Sequence, residues 1–219
     1  MNKLDKKINA AKAALKFIEP GMTVGIGTGS TVNLFIEILP EVRNKIKYLV
    51  SSSEASTLLL EKHGFIVTDI NDIGRLDIYI DGADESNDQL QLIKGGGGAL
   101  TREKILASTA EKFVCIIDDS KLVKTLGSFP LPIEILPMAQ TLIEQRLLKM
   151  NGKPVCRKDF VTDNGNLILD IHNLKISDPI EMESLINEIP GVITVGIFAK
   201  HTADILLIGT NDGVEEIRR

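Results

Sequence analysis

The chain has 219 residues, with 30 Asp and Glu against 25 Lys and Arg, for a net charge of −5. That acidic balance excludes the broad basic field of a nucleic-acid binder. Aromatic residues make up 4% with no Trp, too few for base-stacking platforms, and no apolar run approaches the ~18 residues of a membrane span. The length suits one large domain or two modest ones.

The lysine-rich N-terminus places Ile8, Ala11, Ala14, Leu15 and Ile18 at helical spacing, which predicts an amphipathic helix over about 4–18, stopped by Pro20-Gly21. It lacks the continuous apolar core of a signal peptide, so no export is expected. A strand over Thr23–Ile26 leads into Gly27-Thr28-Gly29-Ser30-Thr31 and a helix from Val32 to about Leu39. Ser30 and Thr31 are expected to cap that helix while free amides face an anion. The glycine spacing departs from G-x-G-x-x-G, and no Gly-Lys-Ser/Thr follows, so a compact phosphate ester suits the loop better than a dinucleotide.

Tyr48–Val50 reads as a strand, Ser51–Ser56 opens a helix to about His63, and Phe65–Val67 and Leu76–Ile80 read as further strands. Strand and helix alternate throughout, which predicts right-handed βαβ units around a mainly parallel sheet. The strand at 76–80 delivers Asp81-Gly82-Ala83-Asp84-Glu85 to its carboxyl end, where open α/β sheets place their ligands. An apolar spacer then leads to Lys94, to Gly95-Gly96-Gly97-Gly98, and to a helix over about 99–112 that carries Glu103 in its first turn or so. Four successive glycines forfeit packing and are costly in entropy, which makes sense where backbone approaches a ligand. Phe113–Ile117 is another buried strand, with Lys121 just beyond its end.

Pro130, Pro132 and Pro137 mark a shift in composition. From there the pattern is strand (133–136), helix (138–150), strand (154–158), and a hairpin of 160–162 with 167–170 about Asp163-Asn164-Gly165-Asn166. A helix over 178–188 begins at Asp178-Pro179, and strands over 192–198 and 205–208 close the chain. The expected architecture is an α/β, Rossmann-like, mainly parallel sheet with helices on both faces, plus a smaller α+β, ferredoxin-like domain. The first is expected to span 1–130 with 201–219 returning to it, and the second 131–200. Cys115 and Cys156 show neither metal-ligand spacing nor a disulfide framework, which fits a reducing cytoplasm. His63, His172 and His201 lie too far apart in sequence to suggest a His-built metal site.

The motifs quoted above resemble those of the A-type ribose-5-phosphate isomerases. So do Phe129-Pro130-Leu131-Pro132-Ile133-Glu134, Thr162-Asp163-Asn164-Gly165-Asn166 and Ile189-Pro190-Gly191-Val192. The resemblance runs in order along essentially the whole chain; Gly98 stands where some members carry alanine. It implies interconversion of D-ribose 5-phosphate and D-ribulose 5-phosphate in the non-oxidative pentose phosphate pathway, without metal or organic cofactor. It further implies a homo-oligomer, commonly a homodimer, with a homotetramer as the alternative. By the family pattern Glu103 is the base that moves a proton between C2 and C1. Thr28, Gly29, Ser30, Thr31, then Asp81, Gly82, Ala83, Asp84, then Lys94, Gly95, Gly96, Gly97, and finally Lys121 match its substrate-binding segments.

The chemistry of the residues agrees. Abstracting a proton next to a carbonyl needs a positioned base, and the enediolate needs preorganised positive charge, which Lys94 and the glycine-loop amides can offer. Asp81 and Asp84 can grip hydroxyls or shuttle protons. Two rival classes are a non-catalytic sugar-phosphate sensor, for which no DNA-binding helix-turn-helix is read, and an amino-sugar-phosphate deaminase or coenzyme A transferase, neither of which explains the whole motif set as well.

Overall fold

The computed structural model describes residues 2–219. The chain runs through α1 (Lys3–Ala14), β1 (Met22–Ile26), α2 (Ser30–Ile38), β2 (Ile46–Ser51), α3 (Glu54–Lys62) and the single turn α4 (Ile70–Ile73). It continues as β3 (Ile78–Asp81), β4 (Glu85–Ser86), β5 (Leu92–Ile93), α5 (Leu100–Thr109) and β6 (Phe113–Asp118). Next are β7 (Leu131–Ile135), α6 (Gln140–Lys149), β8 (Lys153–Cys156), β9 (Leu167–His172) and α7 (Pro179–Asn187). It closes with β10 (Val192–Val195), β11 (Ile197–Phe198), β12 (Ile205–Gly209) and β13 (Val214–Arg218).

These elements form two compact units, one of residues 2–83, 102–122 and 203–219, the other of residues 84–101 and 123–202. Residues 84–101 and 123–130, expected by sequence in the first domain, thus fall in the second unit. Their hydrogen bonds explain it: β5 pairs with β11, and the Glu85 carboxylate accepts from the Gly127 and Phe129 amides.

The first unit is a six-stranded sheet in the order β13-β12-β6-β3-β1-β2, parallel throughout except for β13, with helices on both faces. β3, β6 and β12 are buried along their whole length, so they read as unbroken apolar runs rather than alternating ones. β13 escaped the sequence reading because Glu215, Glu216 and Arg218 give it the charged character of a protected edge. Strand order reverses between β1 and β3, which is where an open α/β sheet forms its ligand crevice.

α1 opens with a reciprocal cap, in which Asn2 and Asp5 each accept the other's amide through their side chains. It ends at Ala14 and tightens into a 3₁₀ turn over Leu15–Phe17, short of the expected Ile18. Ala10, Ala11 and Ala14 are fully buried, and these small side chains let the helix lie close on β6 and β12. Phe65–Val67 is not a strand. Only the Thr68 amide reaches β2, at the Leu49 carbonyl, so no ladder forms.

The second unit has a strand–helix–strand–strand–helix–strand core, β7-α6-β8-β9-α7-β10, in an antiparallel sheet ordered β10-β7-β9-β8. This is the ferredoxin-like connectivity. The hairpin partner of β9 is β8, not residues 160–162. Asp159 adopts φ +51° and breaks the extended run, and Thr162 folds back on the turn through its amide to the Asn166 carbonyl. The expected strand over 192–198 is likewise two strands in two sheets. Gly196 separates them, giving its amide to the Pro132 carbonyl and taking the Lys94 amide on its own.

An added Cβ at Gly209 would stand 1.9 Å from the Lys6 carbonyl oxygen. Gly209→Ala is therefore expected to lift α1 from β12 and to destabilise the fold by about 1–3 kcal/mol. Urea unfolding followed by circular dichroism measures this.

Candidate active site

In the first unit, β3 ends on Asp81, whose side chain is fully buried. Its Oδ1 accepts the amides of Thr28 at 3.0 Å and Gly82 at 2.7 Å, and its Oδ2 accepts from the Tyr79 hydroxyl. Gly27 makes room for this carboxylate, since a Cβ there would lie 1.9 Å from Asp81 Cγ. Burial, then the Asp81 and Glu103 carboxylates, push the Tyr79 phenol well above its ordinary pKa. Tyr79 therefore stays protonated and donates.

Glu103 lies in the first turn of α5 and is 4% exposed. Its carboxylate is among the charges that hold the Tyr79 phenol protonated. The neighbouring Arg102 instead meets Glu54 at 2.7 Å. The helix thus offers a buried carboxylate in its first turn.

The loop after β1 departs from expectation in its capping. Gly29 is the N-cap of α2, at φ +123° and with no side-chain cap, a conformation that suits glycine. Ser30 accepts from Lys7 Nζ at 2.7 Å, while Thr31 is buried beneath the first turn. The Thr28 hydroxyl is engaged internally, donating to Ser53 Oγ at 2.7 Å with Ser52 and Ser56 Oγ at 3.1 and 3.2 Å. Burial lowers the Lys7 pKa and Asp118 raises it, while Lys3 and Lys121 lower it further. Lys7 thus meets Ser30 at the N-terminus of α2.

In the second unit, the β4–β5 pairing sets Glu85 opposite Ile93, and by the same register Asp84 opposite Lys94. Asp84 accepts the Gly96 amide at 2.7 Å. Lys94 is 2% exposed, with its Nζ 5.6 Å from the Phe198 ring centre, and its amide is fixed on Gly196 at 2.9 Å. Gly95 adopts φ +104° and Gly98 φ +81°. The Gly98 amide bonds the Gly95 carbonyl at 2.9 Å, so the amides of Gly96 and Gly98 both have acceptors within the protein. Gly97 is exposed. At Gly98 a Cβ would lie 2.2 Å from Phe160 Cζ, so glycine here is matched to the aromatic ring packed on it.

Arg157, which sequence reading missed, clamps this loop. It holds Asp170 through two bonds of 2.9 and 2.6 Å and reaches the Gly96 and Gly95 carbonyls at 3.2 and 3.4 Å. Glu134, fully buried, accepts from Thr101, Thr162, Asn164 and Asn166, which ties the family-like segments at 129–134 and 162–166 to the start of α5. Lys7 and Tyr79 were also missed. Lys3 and Lys7, four apart on one helical face, were the available signal. Among the described residues no group of three His, Cys, Asp or Glu side chains is arranged to hold a metal ion.

The family model described as ribose 5-phosphate isomerase A (phosphoriboisomerase A) matches residues 48–213. The chain belongs to this family. A ribose-5-phosphate isomerase A from Buchnera aphidicola subsp. Acyrthosiphon pisum (strain Tuc7) is 56% identical over all of this chain and 97% of that protein. The crystal structure of ribose 5-phosphate isomerase A from Neisseria gonorrhoeae matches with a TM-score of 0.97 at 47% identity, over 99% of this chain and 97% of that one. A D-ribose-5-phosphate isomerase structure in complex with phospho-erythronic acid matches with a TM-score of 0.95 at 43% identity, over the whole of both chains.

Gly27→Ala is expected to displace the Asp81 carboxylate while leaving the sheet intact. Since ångström-scale misplacement costs about 100-fold in rate, kcat/KM should fall by about that factor with the far-ultraviolet circular dichroism spectrum retained.

Proposed function

We propose that this chain interconverts D-ribose 5-phosphate and D-ribulose 5-phosphate through an enediolate, as an aldose–ketose isomerase of the non-oxidative pentose phosphate pathway. The observation that carries the mechanism is the buried Glu103 carboxylate, held on a helix and felt at the Tyr79–Asp81 pair. Family membership across the chain carries the substrate. The acid bound by one relative is a sugar-acid phosphate, whose planar carboxylate imitates the charge of an enediolate.

In the open-chain aldose the proton on C2 is acidified by the C1 carbonyl. Glu103 removes it, the electron pair moves to form the C1–C2 enediolate, and the acid form of Glu103 returns the proton to C1. Lys94 supplies positive charge to the oxygen on which negative charge develops. Asp81, with the protonated Tyr79 beside it, moves the proton between O1 and O2, and Asp84 takes a sugar hydroxyl. Gly82, Ala83, Gly95, Gly96 and Gly97 give these groups their backbone setting.

The phosphate is assigned to Gly29, Ser30 and Thr31 at the N-terminus of α2, together with Lys7 and Lys121, where helix dipole and ammonium charge act in the same sense. The Thr28 hydroxyl, already committed to Ser53, shapes this loop rather than gripping the ester. The working form is assigned as a cytoplasmic homodimer. Leu136, Met138 and Leu142 are all exposed in the second unit, Met138 at 94%, and exposed apolar side chains are what a subunit interface covers.

Glu103→Gln removes the base while preserving shape. It should bind ribose 5-phosphate within about threefold of the parent by calorimetry and lose at least about 1,000-fold in kcat, in keeping with general-base losses. Near-normal turnover would remove Glu103 from that role.

A further inference from the structure

The Gly98 amide on the Gly95 carbonyl, at 2.9 Å, closes residues 95–98 into a β-turn. Its central peptide joins Gly96 to Gly97, and neither of these glycines has a positive φ, so the turn is none of the types II, I′ or II′ that need one. A flip of that single peptide would convert it to type II, with positive φ at Gly97. Glycine does not resist that conformation. The residues of the turn therefore leave both orientations open, and the choice between them comes from outside.

Arg157 makes the choice. It follows β8, and its own amide stays on the sheet at the Ile168 carbonyl, 2.9 Å away. Nε and Nη2 donate to the two Asp170 oxygens at 2.9 and 2.6 Å, Nη1 donates to the Gly96 carbonyl at 3.2 Å, and Nη2 also reaches the Gly95 carbonyl at 3.4 Å. Asp170 is a firm anchor, because it lies on β9 between Val155 of β8 and Pro132 of β7. The guanidinium also lies over the Phe160 ring, 5.1 Å from its centre, and that ring covers Gly98. A rigid planar fork fixed on Asp170 thus has its remaining N–H groups aimed at the turn.

In a trans peptide the carbonyl and the N–H point in opposite directions. By gripping the Gly96 carbonyl, Arg157 turns the Gly97 N–H away from itself, and that amide takes no acceptor among the described residues. The flipped turn would present a carbonyl oxygen there instead. A cation on the carbonyl end also polarises the peptide and strengthens its N–H as a donor.

We propose that Arg157, anchored on Asp170, is a positioning residue for the isomerisation: it locks the Gly96–Gly97 peptide so that an N–H, not a carbonyl oxygen, faces the oxygen on which enediolate charge develops. This rests on the isomerase reading, in which the glycine loop lies against the sugar.

The test compares two ligands. Phospho-erythronic acid carries a carboxylate where the enediolate charge develops, whereas ribitol 5-phosphate carries only neutral hydroxyls there. Arg157→Lys keeps the positive charge but lacks the fork that spans Asp170 and the turn. Its kcat should fall about 30-fold, somewhat less than for loss of a whole oxyanion donor, with KM within about threefold of the parent. Ki for phospho-erythronic acid should rise by a comparable factor, while Kd for ribitol 5-phosphate moves less than about threefold. A merely structural role would weaken both ligands alike. Asp170→Asn leaves the arginine in place and loosens its anchor, so it should show the same split at about fivefold; it carries the test if Arg157→Lys folds poorly. Equal losses for the two ligands, or an unchanged kcat in both variants, would overturn the role of Arg157. A parent protein that forms no ribulose 5-phosphate would instead overturn the reading beneath it.

Discussion

Everything in the first unit converges on one buried carboxylate at the point where strand order reverses. Asp81 is tied to two amides and one phenol, and these three donors are what make a fully buried charge tolerable at the carboxyl end of the sheet. Each donor constrains another part of the molecule. The Thr28 amide fixes the loop that presents Ser30 and Thr31, the Gly82 amide fixes the chain toward Asp84, and the Tyr79 hydroxyl closes the remaining oxygen. Gly27 is the steric condition for all of it, since no side chain fits where Asp81 rests.

The second unit meets a different requirement with different means. A run of four glycines has no side chains with which to define its own shape, so the shape is imposed from outside. Asp84 takes one amide, Arg157 reaches two carbonyls, and Phe160 covers Gly98. Lys94 is fixed by the hydrogen bond of its amide to Gly196, the residue at which one strand run divides between two sheets. The backbone freedom of glycine is therefore used for close approach, and rigidity returns through longer side chains from the α+β core.

Much of this was legible in the sequence, because the signals are local. A buried apolar run ending in Asp81, a glycine loop before a helix, and an acid in that helix's first turn are each read from a few neighbouring residues. The groups that escaped are those whose role depends on distant partners. Lys7 looks like the solvated face of an amphipathic helix until Ser30 is brought to it, and Arg157 sits in a polar stretch with no periodicity. The strand errors have the same origin. Phe65–Val67 has strand-forming residues but no continuous partner, and the run at 192–198 looks uninterrupted until the two amide bonds at Gly196 are seen.

The central claim is that Glu103 carries a substrate proton through an enediolate, and proton NMR of ribose 5-phosphate in D₂O with the purified, EDTA-treated protein tests it most directly. The account predicts that ribulose 5-phosphate forms, that its C1 position acquires deuterium, and that the C2 proton signal of the remaining aldose declines. A folded protein that binds the sugar phosphate yet forms no ribulose 5-phosphate would contradict the account.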